Sequence, residues 1–364
     1  MDESYARVLL ARAPGLGIRH LRSLLDATAG DLTRLDQPGL GAQLPPAAAA
    51  FLRSPHHAAL RADLQWLQSR SGDDARVLLC TDADFPAQLR HIAGCPATLY
   101  VLGDRAALQA SQLAVVGSRR PTPAGRHTAA SWVRQLVQAG LAITSGLAEG
   151  IDALSHEAAL DSGGVTLAVC GTGLDRIFPR QHTALAQRIC SRGALLSEFP
   201  PGTPPRGPHF ARRNRLISGL ALGTLVVEAS LGSGSLVTAR HAQRQGRSLL
   251  AVPGSIYSEQ SAGCHQLIRA GAACVTSAAE VLLHLGISAR QQRVISQTAP
   301  PAGAPGLDKG LEMLLDAVGF EPVSIDALAA RTGLAGEAIA SMLLLLELEG
   351  RIAPFPGGRY GRIP

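Results

Sequence analysis

Apolar residues recur along the middle of the chain in short uninterrupted runs, separated by longer amphipathic stretches. Between residues 76 and 275 these runs read RVLLC, TLYVL, QLAVVG, LAITSG, VTLAVCG, ALLSEF, TLVVEA, SLLAVPG and ACVTS. Continuous apolar runs are typical of strands buried on both faces, and their alternation with helical stretches is typical of βαβ units. The pattern predicts an α/β core in which helices cover both faces of a mainly parallel sheet.

Two further domains are predicted beside a core domain over residues 73–286. Residues 1–72 show a helical pattern and predict a small SAM-like or helix-hairpin-helix-like domain, although an ordinary packing corner explains PGLGIRHLRSLL better than a phosphate-binding turn. Residues 287–307 are rich in Pro, Ala and Gln and predict a flexible linker. Residues 308–364 have the order of a winged helix, with a helix-turn-helix pivoting at RTGLA and a wing turned at PGG.

Composition limits the location and the chemistry of the chain. No apolar run approaches the ~18 residues that span a bilayer, and the N-terminal MDESYAR is acidic where a signal peptide is basic, so a cytosolic location is expected. The cysteines form no C-x-x-C pair and lie in apolar or strand-like surroundings, at positions 80, 95, 170, 190, 264 and 274. We expect reduced thiols in or near the core, with neither a disulfide framework nor a zinc site.

The excess positive charge is confined to the middle of the chain. The net charge is 0 over residues 1–110, +7 over residues 111–287 and −1 over residues 288–364. Because Lys309 is the only lysine, the charge of the middle segment is carried by arginine, which suits bidentate phosphate contacts and stacking on bases. Codon usage would explain the choice of arginine but not its regional bias.

Five loops follow apolar runs and would lie at the carboxyl edge of the sheet, where open parallel sheets bind ligands. They read GSRRPTPAG, SGLAEGID, GTGLDRIFPRQH, EFPPGTPPRGPHFARRNR and EASLGSGS, and several such Gly-rich loops on one edge favour an anion site. GTGLDR is only a partial match to G-x-G-x-x-G, which gives a dinucleotide site little support, and the absence of G-x-x-x-x-G-K-[ST] excludes P-loop ATP hydrolysis.

The stretch HFARRNRLISGLA, residues 209–221, combines an aromatic side chain with three arginines at a predicted helix start near Ala211. Cations at a helix N-terminus oppose its dipole by about 0.3–1 kcal/mol each, whereas a bound phosphate would reverse that sign. Phe210 would offer a surface on which an unpaired base stacks. The alternative is a solvated basic face with Phe210 in the core.

A catalytic or metal-binding alternative rests on EGIDALSHEAA. Asp152 and His156 are spaced to share one helix face, with Glu149 close before them. A third metal ligand is not visible, and a capped, acidic helix start explains the same residues more simply.

The loops quoted above, in their order and spacing, resemble the DNA-processing protein A (DprA, also called Smf) family over about residues 76–285. The resemblance implies an extended Rossmann-like domain that binds single-stranded DNA, protects incoming DNA during natural transformation and loads RecA onto it. It also implies a homodimer and names single-strand-binding protein as a further candidate partner. Neither an enzymatic activity nor a cofactor, metal or membrane partner is expected. The expected DNA-binding residues are Gly117, Ser118, Arg119, Arg120, Ser145, Gly146, Phe210, Arg212, Arg213, Asn214, Arg215 and Ser235.

The sequence departs from the family pattern at two loops. Ala124 stands where family members often have tyrosine, and His265 stands in an asparagine place within SIYSEQSAGCHQLI. These departures bear on the local shape of two loops.

Two other functions are compatible with parts of the sequence. The cytokinin-activating phosphoribohydrolases resemble the same Rossmann variant, but GSGSLVT places Thr238 about where their glutamate stands, which removes the acid/base group. A winged-helix repressor is disfavoured because the presumptive recognition helix carries Glu337, Glu347 and Glu349 without a Lys or Arg. We therefore interpret the last domain as a protein-contact or regulatory module, with the wing arginines 351, 359 and 362 as a minor DNA alternative.

Overall fold

The structure, a computed structural model, describes residues 2–35, 37, 39–40, 44–287, 308–320 and 322–363. The predicted linker therefore lies outside the described residues, apart from Ile287. Within them no single helix is long and apolar enough to cross a membrane; one bent pair, Ile325–Thr332 and Gly336–Leu348, meets that test only when both helices are counted together.

The N-terminal part is helical, as predicted. Its helices are α1 (Glu3–Arg12), α2 (Ile18–Ala27), α3 (Pro46–Arg53) and α4 (His57–Ser69). Their apolar faces do not form a core of their own: Leu9 and Leu60 are buried in one cluster with Tyr100, a residue of the sheet. Arg12 also bonds Asp63 at 2.6 Å, and the Tyr100 hydroxyl donates to the same carboxylate at 3.2 Å. The predicted boundary at residue 72 stays a prediction.

A nine-stranded sheet forms the centre of the molecule. Its strands are β1 (Arg76–Leu79), β2 (Thr98–Gly103), β3 (Gln112–Val116), β4 (Ala142–Ser145), β5 (Thr166–Val169), β6 (Ala194–Ser197), β7 (Gly223–Val226), β8 (Ser248–Ala251) and β9 (Ala273–Cys274). They lie in the order β1-β2-β6-β5-β4-β3-β7-β8-β9. The seven strands from β6 to β9 are parallel, whereas β1 and β2 add an antiparallel edge. The predicted α/β fold is thus confirmed.

Helices cover both faces of this sheet. They are α5 (Ala87–Arg90), α6 (Pro123–Gln138), α7 (Ile151–Asp161), α8 (Thr183–Cys190), α9 (Gly207–Leu220), α10 (Ser235–Arg244), α11 (Ala262–Arg269) and α12 (Ala278–His284). The strands from β3 to β7 are buried at every position, which is why their sequences are mainly apolar and contain no charged residue.

The C-terminal part is a winged helix, as predicted. It contains α13 (Lys309–Val318), β10 (Val323–Ser324), α14 (Ile325–Thr332), α15 (Gly336–Leu348), β11 (Ile352–Phe355) and β12 (Arg359–Arg362). Gly333 ends α14 with a left-handed φ of 72°, so RTGLA is the turn of the helix-turn-helix. The wing strands β11 and β12 are antiparallel, and β10 pairs with the other side of β12.

All six cysteines are free thiols. The expectation that each lies in or near the core is wrong for Cys274, which is exposed because β9 is a two-residue strand at the edge of the sheet.

Candidate functional site

A cleft of about 540 Å³ opens at the carboxyl ends of β3 and β7. The chain passes from β3 through β4, β5 and β6 toward one edge, then crosses back to place β7 on the other side of β3. The loops after β3 and β7 therefore leave the sheet in opposite directions, and a crevice forms between them. The loop after β3, helix α9 and the loop into α10 supply most of its lining.

Glycines let the first loop pack tightly under the cleft. A side chain on Gly117 would come within 2.6 Å of Ile151, and one on Gly150 would come within 2.3 Å of the Ser118 carbonyl oxygen. That carbonyl accepts the Ile151 amide at 3.1 Å, which ties the loop to the start of α7. Ser118 is buried, and its hydroxyl accepts the Arg120 amide at 3.1 Å. Ser118 shapes the loop, whose exposed part is the arginine pair that follows.

Arg119 and Arg120 are exposed at the mouth of the cleft. No ion pair joins either guanidinium to a carboxylate in the described part of the chain. Two exposed guanidinium groups on consecutive residues are suited to an anionic ligand with spaced charges.

Helix α9 begins at Gly207, four residues before the predicted start near Ala211. Pro208 stands in its first turn, where its fixed φ favours a helix and its missing N–H is not needed. The prediction that the three arginines lie at the N-terminus of this helix is therefore wrong. The three arginines lie in the second and third turns, and of these only Arg213 is among the described residues that line the cleft, together with Gly207, Phe210, Ala211, Asn214 and Ile217.

The arginines of α9 have different surroundings. Arg212 and Arg215 bond Glu198, at 3.0 Å and 2.6 Å, and neither lines the cleft. Arg213 is buried and donates to the carbonyl oxygens of Gly146 and Val169. Consecutive helical residues point about 100° apart, so one helix cannot present all three to a single ligand. That all three contact DNA stays a prediction, and their different surroundings indicate different roles.

Arg213 and Asp152 are buried charged side chains beneath the cleft, and both lie next to Gly146. Asp152 accepts the amides of Gly146 and Ala148 at 3.1 and 3.4 Å. Burial raises the pKa of Asp152, and the neighbouring Arg213 lowers it. Burial lowers the pKa of Arg213, and the negative charge of Asp152 acts in the opposite direction. The pair fixes the loop after β4 from both sides.

The predicted contacts in that loop are not at the surface. Ser145 is fully buried because it ends β4, and its hydroxyl donates to the Val115 carbonyl oxygen at 2.6 Å. Both backbone groups of Gly146 are already used, its amide by Asp152 and its carbonyl by Arg213. The expectation that Ser145 touches the ligand is therefore wrong. The backbone of Gly146 links Asp152 to Arg213.

An aromatic surface lies beside the arginines. The Phe210 ring is half-buried over Gly171, where any side chain would come within 2.6 Å of the ring. Phe178 lies against it with ring centroids 5.5 Å apart. Phe210 is thus neither a core residue nor a free one, and it faces both the cleft and a notch of about 140 Å³ next to it. Sequence reasoning did not single out Phe178, although an aromatic beside proline in a carboxyl-edge loop was a usable signal.

The glycine-rich loop after β7 closes the other side of the cleft. A side chain on Gly232 or Gly234 would meet open space, so their backbone is accessible from the cleft. Ser235 begins α10 and donates to the Gly117 carbonyl oxygen at 2.7 Å. Asn214 reaches the same loop, donating to the Gly234 carbonyl oxygen at 3.3 Å. A helix start of this kind, preceded by accessible amides, attracts anions.

Glu228 links the two sides of the cleft. Its carboxylate accepts the Thr122 amide at 2.9 Å and the Thr122 hydroxyl at 2.5 Å. Thr122 in turn caps α6 by accepting the Gly125 amide at 3.1 Å. A side chain on Gly125 would come within 2.3 Å of that carboxylate, so glycine is required there. Burial raises the pKa of Glu228.

The catalytic alternative finds little geometric support. His156 is buried and its Nδ1 lies 2.7 Å from the Thr166 hydroxyl, whereas Asp152 bonds the amides of Gly146 and Ala148. Burial lowers the pKa of His156 to about 3, which keeps the ring neutral. Glu149 is exposed and accepts the Gln181 amide at 2.9 Å. Across the described ranges, no three His, Cys, Asp or Glu side chains are grouped to hold a metal ion.

Comparison with known proteins identifies relatives over most of the chain. A family described as DNA recombination-mediator protein A matches residues 76–286, and one described as DprA winged helix domain matches residues 298–358. Protein Smf of Escherichia coli (strain K12) is 41% identical over 336 residues, which are 90% of this chain and 86% of that protein. DNA processing protein DprA of Streptococcus pneumoniae is 43% identical over 201 residues, which are 55% and 71% of the two chains.

Two solved structures are similar to this chain in fold. The structure of DprA from Streptococcus pneumoniae has a TM-score of 0.67 and 32% identity, covering 78% of this chain and 98% of that one. DNA processing protein A from Helicobacter pylori, described for its single-stranded DNA binding mode, has a TM-score of 0.54 and 29% identity, covering 59% and 97%.

Proposed function

The chain belongs to the DNA recombination-mediator protein A family, and on this premise we propose that its cleft binds single-stranded DNA. One observation carries the proposal. Arg119 and Arg120 stand exposed and without a carboxylate partner in the described chain, next to the half-exposed Phe210 ring and the glycine-rich start of α10. The arginines and the glycine-rich helix start are suited to phosphates, and the aromatic ring is suited to stacking of unpaired bases.

Exposed and buried residues of the cleft are assigned different roles. We assign phosphate contact to Arg119, Arg120 and the amides of the loop after β7, and base stacking to Phe210. Arg213 and Ser118 act indirectly, because burial leaves their polar groups bonded to the loops that they hold in place. Contacts of this kind recognise the backbone and the flat face of any base, so binding independent of sequence is expected.

The wider role rests on family membership. We propose that the protein protects incoming single-stranded DNA during natural transformation and loads RecA onto it, acting as a homodimer. Single-strand-binding protein is a further candidate partner, and the cytosolic location expected from the sequence stays a prediction. The winged helix is proposed as a protein-contact module, because the exposed side of α15 carries Leu344, Leu348 and two glutamates, and a third, Glu349, follows the helix.

Nucleotide hydrolysis is the competing proposal, and the lining of the cleft disfavours it. Thr238, about where the phosphoribohydrolase glutamate would stand, is buried at the side of the cleft. Asp152 is the carboxylate among the described lining residues, and it is bonded to two amides beside Arg213. A carboxylate held in this way is poorly placed to exchange protons with a substrate.

One titration tests the proposal. Labelled single-stranded and duplex oligonucleotides of equal length are titrated with the intact protein at several salt concentrations. We expect single-stranded binding that weakens steeply with salt, since arginine contacts release counterions. Undetectable single-stranded binding at low salt, or release of base from a nucleoside monophosphate by the same protein, would overturn it.

A further inference from the structure

A second cavity adjoins the cleft and is not explained by the contacts assigned above. It has a volume of about 760 Å³ and is lined by the loop after β5, by α8 and by Arg70 at the end of α4. The small notch lies between the two cavities: it shares Arg119 and Phe210 with the cleft and Phe178 with the second cavity. The cleft, the notch and the second cavity are thus linked in series by shared lining residues, a series called the path below.

Phe178 stands at the junction of this path. Its side chain is 47% exposed, which is a large exposed fraction for an apolar side chain of this size. Its ring contacts Phe210 on one side, while the rest of the residue lines the second cavity. Such a ring gains little from burial where it is, but it extends the stacking surface of Phe210 by one further ring.

The second cavity also carries positive charge. Arg70, Arg176 and Arg180 line it, against the single carboxylate of Asp175. Asp175 is bonded to Arg176 at 3.3 Å and to the Gly202 amide at 2.8 Å. Arg180 is exposed, and no ion pair involves it in the part of the chain that the structure describes. Arg180 and Phe178 line the second cavity together, as Arg119 and Phe210 line the cleft.

We propose that a single strand leaving the cleft continues past Phe178 into the second cavity, where Phe178 stacks a base and Arg180 contacts a phosphate. This proposal rests on the proposed function, because it takes the cleft as the place where the strand is first held. It assigns the loop GTGLDRIFPRQH, and Phe178 in particular, to a second subsite that only a longer strand can fill.

The test separates the two sites by oligonucleotide length. Affinities of the intact protein are measured for oligothymidylates of about 4 to about 16 nucleotides, the range that single-strand-binding modules cover. In the wild type, affinity rises with length until both cavities are filled. Phe178→Ala is expected to lower the affinity of the longest strands at least about fivefold and to leave that of the shortest strands unchanged.

Three further variants sharpen the result. Arg180→Ala should flatten the salt dependence for long strands by about 0.7 in log–log slope, again without effect on short ones. Phe178→Trp should restore long-strand affinity, because it keeps a ring for stacking. Phe320→Ala and Arg192→Ala are matched controls: Phe320 is 60% exposed in the winged helix, and Arg192 bonds Gly163 at the opposite edge of the sheet.

The outcomes are distinct. Equal affinities of Phe178→Ala and wild type at every length would overturn the second subsite and leave the cleft proposal intact. A loss that is the same at all lengths would also overturn it, since Phe178 would then act within the cleft. Failure of the wild type to bind any length would overturn the proposed function itself.

Discussion

At the scale of single residues, sequence chemistry identified the site better than it identified the contacts. HFARRNR contains the residue types of a single-strand site, and Phe210 and Asn214 do line the cleft. Arg212 and Arg215, however, turn toward Glu198. The helical repeat alone could have separated these faces, because consecutive helical residues point about 100° apart wherever the helix begins. The bond from the Ser145 hydroxyl to Val115 could not have been read, because its partner is a backbone atom of another strand.

The surroundings of Arg215 lead to a prediction about stability. Its side chain is 14% exposed and bonds Glu198, which is 11% exposed. Arg215→Ala leaves Glu198 with Arg212 alone, and we expect the free energy of unfolding to fall by about 1–3 kcal/mol. Affinity for single-stranded DNA should stay within a few-fold of wild type. Urea unfolding and a binding titration of the same preparation check both halves.

Two results would contradict this assignment. Unchanged stability would show that the ion pair contributes nothing to the fold. A large loss of affinity in a stable Arg215→Ala protein would return this arginine to the DNA path.

At the scale of elements, apolar runs predicted the strands well but not their directions. RVLLC and TLYVL resemble the runs of parallel strands, yet β1 and β2 are antiparallel. The 18 residues between them contain only the four-residue helix α5, which is too short for a crossover, so the chain folds back. Strand direction depends on what joins the strands, which the runs themselves do not contain. The start of α9 was misplaced for a similar reason: Pro208 was read as part of a loop, whereas it is a first-turn residue.

Helix α7 carries a pH-dependent contribution to stability. Its His156 bonds Thr166 of β5 and has a pKa lowered to about 3 by burial, against an ordinary value of 6.5. A folded-state pKa below the unfolded one means that the contribution is present above pH 6.5 and is lost as pH falls toward 3. Between pH 7.5 and pH 5.5 the loss from this group is about 1.4 kcal/mol.

The check compares wild type with His156→Gln. Urea unfolding at the two pH values should show a smaller decrease in the free energy of unfolding for the variant, because glutamine does not titrate. An identical pH dependence in the two proteins would show that His156 is not the group responsible.

At the scale of the whole molecule, the regional charge bias located the site in the correct part of the chain. The segment with a net charge of +7 contains the whole cleft, and the C-terminal segment has a net charge of −1. What the sequence could not reveal is how the N-terminal helices pack, because an amphipathic helix does not specify which surface covers its apolar face. They share buried clusters with the sheet, and Arg12 reaches the Pro201 carbonyl oxygen near the site at 3.0 Å.

Removal of residues 290–364 tests this placement. Since the cleft and its arginines all precede residue 287, the shortened protein should bind single-stranded DNA within a few-fold of the intact chain. The comparison is made by titration at one salt concentration, with the melting temperature recorded to verify that the core is folded. Loss of most of the affinity in a folded truncated protein would place the site in the winged helix.

The salt dependence of single-stranded DNA affinity, measured for wild type, Arg119→Ala and Phe210→Ala, tests the central claim most directly. The two arginine contacts assigned in the cleft give a wild-type log–log slope of about −1.4 or steeper. Arg119→Ala should weaken binding by about 1–3 kcal/mol and make the slope shallower by about 0.7. Phe210→Ala should weaken binding by about 1–3 kcal/mol and leave the slope unchanged, because stacking releases no ions. A flat wild-type slope, or a Phe210→Ala protein that melts earlier but binds normally, would contradict the account.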